Sequence, residues 1–218
     1  MTARGLALGC CTLVSAALVS GCAAGPGDQA TNPAGVLIST PANSSGFDGS
    51  VVPSPYQMPE LSLTDTTGHP LDLRQATSTP VTLVFFGYTN CPDICSLVMA
   101  DIATAVSRLD PSVASDVRML FITTDPARDT PEVLRSYLDR FNPDFEGLTG
   151  PISSIRRVAT ALGVAIAGVK RLPGGGYDVA HGSQIIGFDQ AGDISVVWTE
   201  GTPVSDLAHD IVLLDQRS

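Results

Sequence analysis

Val81-Thr82-Leu83-Val84-Phe85-Phe86-Gly87-Tyr88-Thr89-Asn90-Cys91-Pro92-Asp93-Ile94-Cys95 is the stretch on which the fold turns. Val81 to Phe86 is a short apolar run of strand formers, closed by Pro80 on one side and Gly87 on the other. That length and composition suit a buried strand. From Pro92 onward, Ile94, Leu97, Val98, Ile102, Ala105, Val106 and Leu109 recur at helical spacing. The stretch therefore predicts a strand that feeds, through a cysteine-bearing turn, into a helix. Cys91 and Cys95 stand four apart, so both sulfurs fall on one face of the first helical turn. That turn presents unpaired N–H groups and the positive end of the helix dipole, which favour thiolate.

Further elements follow on both sides. Leu61-Ser62-Leu63 and Leu71-Asp72-Leu73 alternate apolar and polar around Thr66-Thr67-Gly68, the pattern of a β-hairpin. Val117 to Thr123 reads as a second buried strand. Thr130-Pro131-Glu132 opens a helix, with threonine as cap and proline in the first turn, that runs to about Phe141. Ser153 or Ser154 starts another, ending at Gly163. Tyr177 to Ala180, Gln184 to Phe188 and Ile194 to Trp198 read as strands, and Thr202-Pro203 opens a last helix through Leu214. An N-terminal hairpin, then β-α-β-α-α, strands and a helix predict an α/β domain with a central mixed sheet flanked by helices. The domain is expected over residues 57–218.

Residues 1–21 carry the marks of a secretory signal peptide: Arg4, an apolar stretch from Leu6 to Val19, and small residues before Cys22. Val19-Ser20-Gly21-Cys22 also resembles a bacterial lipobox, which implies cleavage before Cys22 and lipid on its sulfur. The expectation is an extracytoplasmic protein anchored to the cell membrane as a lipoprotein. Residues 22–56, rich in Gly, Pro, Ala, Ser and Asn, read as a tether with a reach of about 30 Å. Of five cysteines, Cys10 and Cys11 leave with the signal and Cys22 is lipidated, so only Cys91 and Cys95 remain. Outside the cytoplasm such a pair is a disulfide, a redox dithiol or a metal site. Hydrophobic residues make up 44% of the chain, enough for a packed core. A net charge of -10 with no dense basic run argues against nucleic-acid binding.

Strand, cysteine pair and helix form the arrangement of thioredoxin-like folds, although thioredoxins space the pair by two residues and here it is three. Soft thiolates suit Cu(I), and two of them leave room for a third donor such as a neutral imidazole. The chain has three histidines, His69 in the hairpin turn, His181, and His209 in the last helix. In thioredoxin-like folds the residues before the strand at Gln184 lie opposite the dithiol, where thioredoxins keep a cis-proline, so His181 is the best placed third ligand.

The resemblance then becomes specific. Phe86 to Cys95 resembles the signature of the Sco/SenC family of copper chaperones, and Thr124-Asp125-Pro126-Ala127-Arg128-Asp129-Thr130-Pro131 resembles that family's second block. The spacing from His181 to Gly192 matches a third, and the likeness covers about residues 56 to 215. It implies a thioredoxin-like fold with an N-terminal β-hairpin, and copper, as Cu(I) or Cu(II), bound by Cys91, Cys95 and His181. Asp125 takes the position of an acidic residue close to the site. The implied partner is a copper-accepting oxidase subunit or another copper protein, and the implied role is assembly of the copper centre of cytochrome c oxidase.

Ser96 stands where the family often has proline, and Ala180 and Gly182 flank His181 where Asp and Ser or Thr are usual, which predicts a less constrained loop. A thiol–disulfide oxidoreductase that reduces the cysteine ligands of a partner, with Cys91 and Cys95 as its dithiol, is the alternative. Asp125 has a second reading as a turn and helix cap. Arg128 and Asp129 read as a local ion pair, Gly174-Gly175-Gly176 as a turn, and Trp198 as core.

Overall fold

A computed structural model describes residues 45–218 except Asp93 and Gly174. The signal-peptide and lipidation readings, with Cys10, Cys11 and Cys22, lie outside the described residues, as does most of the tether. The elements in chain order are β1 (Ser50–Val51), β2 (Ser62–Asp65), β3 (Pro70–Asp72), α1 (Leu73–Ala76), β4 (Val81–Gly87), α2 (Ile94–Ser107), α3 (Pro111–Asp116) and β5 (Val117–Thr123). They continue with α4 (Pro131–Leu138), β6 (Glu146–Thr149), α5 (Ile152–Ala161), β7 (Ile166–Arg171), β8 (Tyr177–His181), β9 (Ile185–Asp189), β10 (Ser195–Trp198) and α6 (Val204–Asp215). No helix among the described residues is long and apolar enough to cross a membrane.

Among the described residues, eight strands form one mixed sheet in the order β1-β10-β9-β4-β5-β6-β2-β3, and β7 pairs with β8 as a separate ribbon. β4 lies parallel to β5 and antiparallel to β9, and β9 is antiparallel to β10. The order β10-β9-β4-β5, reached through α2 after β4 and α6 after β10, is the thioredoxin-like core expected from the Val81–Cys95 stretch. The N-terminal hairpin is β2–β3, with Ser62 opposite Asp72, added beyond β6.

β4 is buried along its whole length because it is covered on both faces. Side chains alternate across a strand. Leu83 and Phe85 therefore join Met99, Ile102, Ile211 and Leu214 from α2 and α6 on one face. Val84 and Phe86 join Leu73 of α1 and Ile155 and Val158 of α5 on the other. Each such fully buried side chain contributes about 1.5–3 kcal/mol of transfer free energy. Gly87 ends β4 where nothing larger fits, since a Cβ there would lie 2.9 Å from the Phe121 ring. Trp198 is core, as expected, 1% exposed with its indole N–H donating to Asp210 at 2.7 Å.

The tether reading ends too late. Phe47 is 3% exposed within the core, and β1 pairs with β10. The backbone N–H groups of Asp48 and Gly49 donate to the buried Asp210 carboxylate at 2.9 and 2.7 Å. The domain thus begins by Phe47, not at residue 57. One apolar residue and a two-residue strand among Gly and Ser leave too little periodicity to be seen in sequence.

Candidate functional site

The cysteine turn is built by the end of β4. The Cys91 N–H donates to the Tyr88 carbonyl at 3.2 Å, closing a turn at residues 88–91. α2 starts at Ile94, so Cys91 precedes the helix rather than lying in its first turn as expected. Its sulfur accepts from the Cys95 N–H at 3.5 Å, so Cys91 still meets the helix start through one of the unpaired donors there. Cys95 is fully buried and Cys91 partly exposed, and no disulfide joins them.

His181 ends β8, across the turn from the cysteines. Its Nε2 stands 3.7 Å from the Cys95 sulfur. One ligand atom each from Cys91, Cys95 and His181 lies within 4.8 Å of the others. Nδ1 stands 2.9 Å from the Gly182 carbonyl oxygen, which can only accept, so Nδ1 carries the proton and Nε2 keeps its lone pair toward the sulfurs. The ring also sits edge-on to Phe85 and Tyr88, with centroids 6.5 and 5.8 Å away. The Gly182 N–H donates to Ala165 at 2.9 Å. The loop around His181 is therefore held, contrary to the expectation from Ala180 and Gly182, because its constraints are backbone bonds and ring contacts that the flanking side chains do not report. An opening of about 190 Å³ lined by Tyr88, Cys91, Pro92 and His181, among others, leads to the site from solvent.

The Cys91 sulfur beside it and burial push the Cys95 thiol far above the ordinary thiol value. Cys95 is thus a neutral thiol at physiological pH, not the thiolate expected for the pair. Burial raises Tyr137, packed nearby under α2, to about 12. His69 and His209 lie elsewhere: His69 in the hairpin turn against Thr67, His209 on α6 against Asp48 and Asp210.

Asp125 does not join the cluster of Cys91, Cys95 and His181. It is 4% exposed, ion-paired with Arg128, and accepts from the Tyr177 hydroxyl at 2.8 Å. Arg128 also donates to the Tyr177 carbonyl at 3.2 Å and lies 3.7 Å over the Tyr177 ring. Tyr88 completes the clasp, since its hydroxyl donates to Asp178 and accepts from the Val179 N–H. Asp125 therefore reaches the site through β8, whose last residue is His181. The Arg128–Asp129 pair is not formed. Both N–H groups donate to the Asp125 carbonyl in one turn, and the Arg128 side chain is held by the Asp125 carboxylate and the Tyr177 carbonyl. Asp129 instead accepts from the Thr89 N–H and hydroxyl and from the Thr123 hydroxyl. Tyr88 and Tyr177 were missed in the sequence. The one available signal for Tyr88 was its place immediately after the glycine that ends β4. Arg128→Met is expected to weaken metal binding by about tenfold, a typical effect of loosening a group that orients a ligand, with the domain still folded. A competition titration beside a thermal melt checks this.

The frame is that of a thioredoxin-like domain in which an imidazole faces the dithiol. The sequence matches the SCO1/SenC family model over residues 53–214, and the chain belongs to that family. It is 33% identical over 131 residues to Protein sco1 of Schizosaccharomyces pombe, a match covering 59% of this chain and 50% of that one. The chain thus spans about half the length of that curated relative. Among solved structures it resembles Bradyrhizobium japonicum ScoI with copper bound, at 29% identity and TM-score 0.63, covering 76% of this chain and 98% of that one. It also resembles yeast Sco1 with copper bound, at 27% identity and TM-score 0.65, covering 73% and 88%.

Proposed function

We propose that this domain binds one copper ion through Cys91, Cys95 and His181 and passes it to a copper protein outside the cytoplasm, the copper-accepting subunit of cytochrome c oxidase in the reading the family suggests. The observation that carries the proposal is the convergence of two sulfurs and an imidazole nitrogen within 4.8 Å, with the nitrogen's lone pair aimed inward. Two thiolates and one imidazole suit Cu(I) and leave it three-coordinate. Copper-bound structures of relatives at 27–29% identity support the same choice of metal. An open approach beside Cys91 suits a cargo that must leave again. Cys22 as a lipid anchor would hold the domain at the membrane surface where such an acceptor sits. An anaerobic Cu(I) titration against a chromophoric chelator should give one copper per chain for the reduced protein and none for Cys91→Ala with Cys95→Ala. Full retention by the double variant would contradict the proposal.

Binding must displace the Cys95 proton. Because that thiol is raised above 9.0, the proton is present throughout the neutral range, so affinity rises with pH and falls with acid. The expected slope is about tenfold in Cu(I) affinity per pH unit for each proton released, read between about pH 6 and pH 8. A flat profile would show that no thiol proton is displaced.

A thiol–disulfide oxidoreductase is the second reading, favoured by one observation: Cys91 is partly exposed while Cys95 is buried behind it, the layout of an attacking and a resolving thiol. Reductase turnover on a model disulfide that survives His181→Ala would favour it.

A further inference from the structure

We propose that the groove between α5 and the β7–β8 ribbon is the docking surface for the protein that exchanges copper with this domain, and that it receives an extended apolar segment bearing carboxylates. The proposal rests on the copper reading above and adds the place and chemistry of the partner contact. The groove measures about 880 Å³. Its lining is largely apolar, and two of its side chains, Val169 at 61% and Ile152 at 38%, are among the few large apolar groups left exposed. Exposed apolar surface gathered in a concave site marks an interaction surface.

Charge identifies the occupant. The groove carries Arg156 from α5 and Arg171 from β7. Arg74, Arg118, Arg128 and Arg135 each pair with a carboxylate, but neither of these two does among the described residues. From Gly147 to Tyr177 the sequence holds no Asp or Glu, yet it holds Arg156, Arg157, Lys170 and Arg171, in a chain of net charge -10. Four of the chain's twelve lysines and arginines thus fall in one acid-free segment, Arg156 and Arg171 line the groove, and its one carboxylate, Asp125, is already paired with Arg128, which together select an acidic partner by complementary potential. Location supplies the link to function. The groove and the opening above Cys91 and His181 share Val179 as a common wall. A segment seated in the groove therefore lies next to the opening that leads to Cys91 and His181.

The test uses the full-length protein and a fluorescent synthetic peptide alternating leucine with glutamate, beside the same peptide with lysine for glutamate. Anisotropy should show binding of the glutamate peptide alone, weakened by added salt. Val169→Asp and Arg156→Glu with Arg171→Glu should each lower that affinity by about tenfold or more, with Cu(I) retention unchanged. Equal binding of both peptides, or wild-type affinity in these exposed-site variants, overturns the proposal. So does variant-sensitive binding of phosphatidylglycerol vesicles, or variant-sensitive self-association in sedimentation, without peptide binding, which would assign the groove to a lipid surface or to a second copy. Failure of copper retention in the wild type would instead strike the copper reading and leave the peptide result standing.

Discussion

Replacing His181 by alanine is expected to lower Cu(I) affinity by more than about a hundredfold while the domain stays folded. Loss of a group that merely orients a ligand costs about 10–100-fold, and loss of a ligand costs more. His181 is half-buried at the end of a two-stranded ribbon and meets Phe85 and Tyr88 only edge-on, so its removal opens little of the core. Its removal leaves two thiols that hold copper without the third donor. Circular dichroism and melting should be close to wild type, and a chelator competition should show the loss. Wild-type affinity in this variant would mean that the imidazole is not a ligand and that the dithiol alone binds.

Asp129→Ala is expected to cost about 3 kcal/mol or more in denaturant unfolding and to weaken copper binding as well. The carboxylate is 0% exposed and accepts from the Thr89 N–H at 3.0 Å and from the Thr89 and Thr123 hydroxyls at 2.6 Å each. Hydrogen bonds to a charged group are worth about 1.5–3 kcal/mol, and donors left buried without an acceptor add their own desolvation cost. Thr89 lies two residues before Cys91, so the same loss frees the cysteine turn. Asp129→Asn keeps one accepting oxygen and should recover part of the stability. A change of less than about 1 kcal/mol in Asp129→Ala would show that the turn is held by its backbone bonds alone.

The parts of the fold legible in sequence are those whose residues are sorted by burial. β4 and β5 read as strands because they are covered on both faces, and α4 because Thr130 caps it and Pro131 opens it. β7 was missed because all but one of its residues are exposed and carry no alternation. β6 was missed because it is four residues long with a glycine inside. At the site, spacing was enough to pair Cys91 with Cys95, and fold placement brought His181 to them. The protonation of Cys95 was not legible, since it depends on the burial of its α2 side chain in the core cluster that holds Phe85 and on where the Cys91 sulfur falls. Nor was the clasp of Arg128 with Asp125, Tyr177 and Tyr88, which joins residues far apart in the chain.

The central claim is that Cys91, Cys95 and His181 close on one copper ion, and X-ray absorption at the copper edge of the reduced, copper-loaded protein tests it most directly. The account predicts two sulfur neighbours and one imidazole nitrogen, with the imidazole signal lost in His181→Ala. A copper environment of sulfur alone in the wild type, or of oxygen and nitrogen without sulfur, would contradict it.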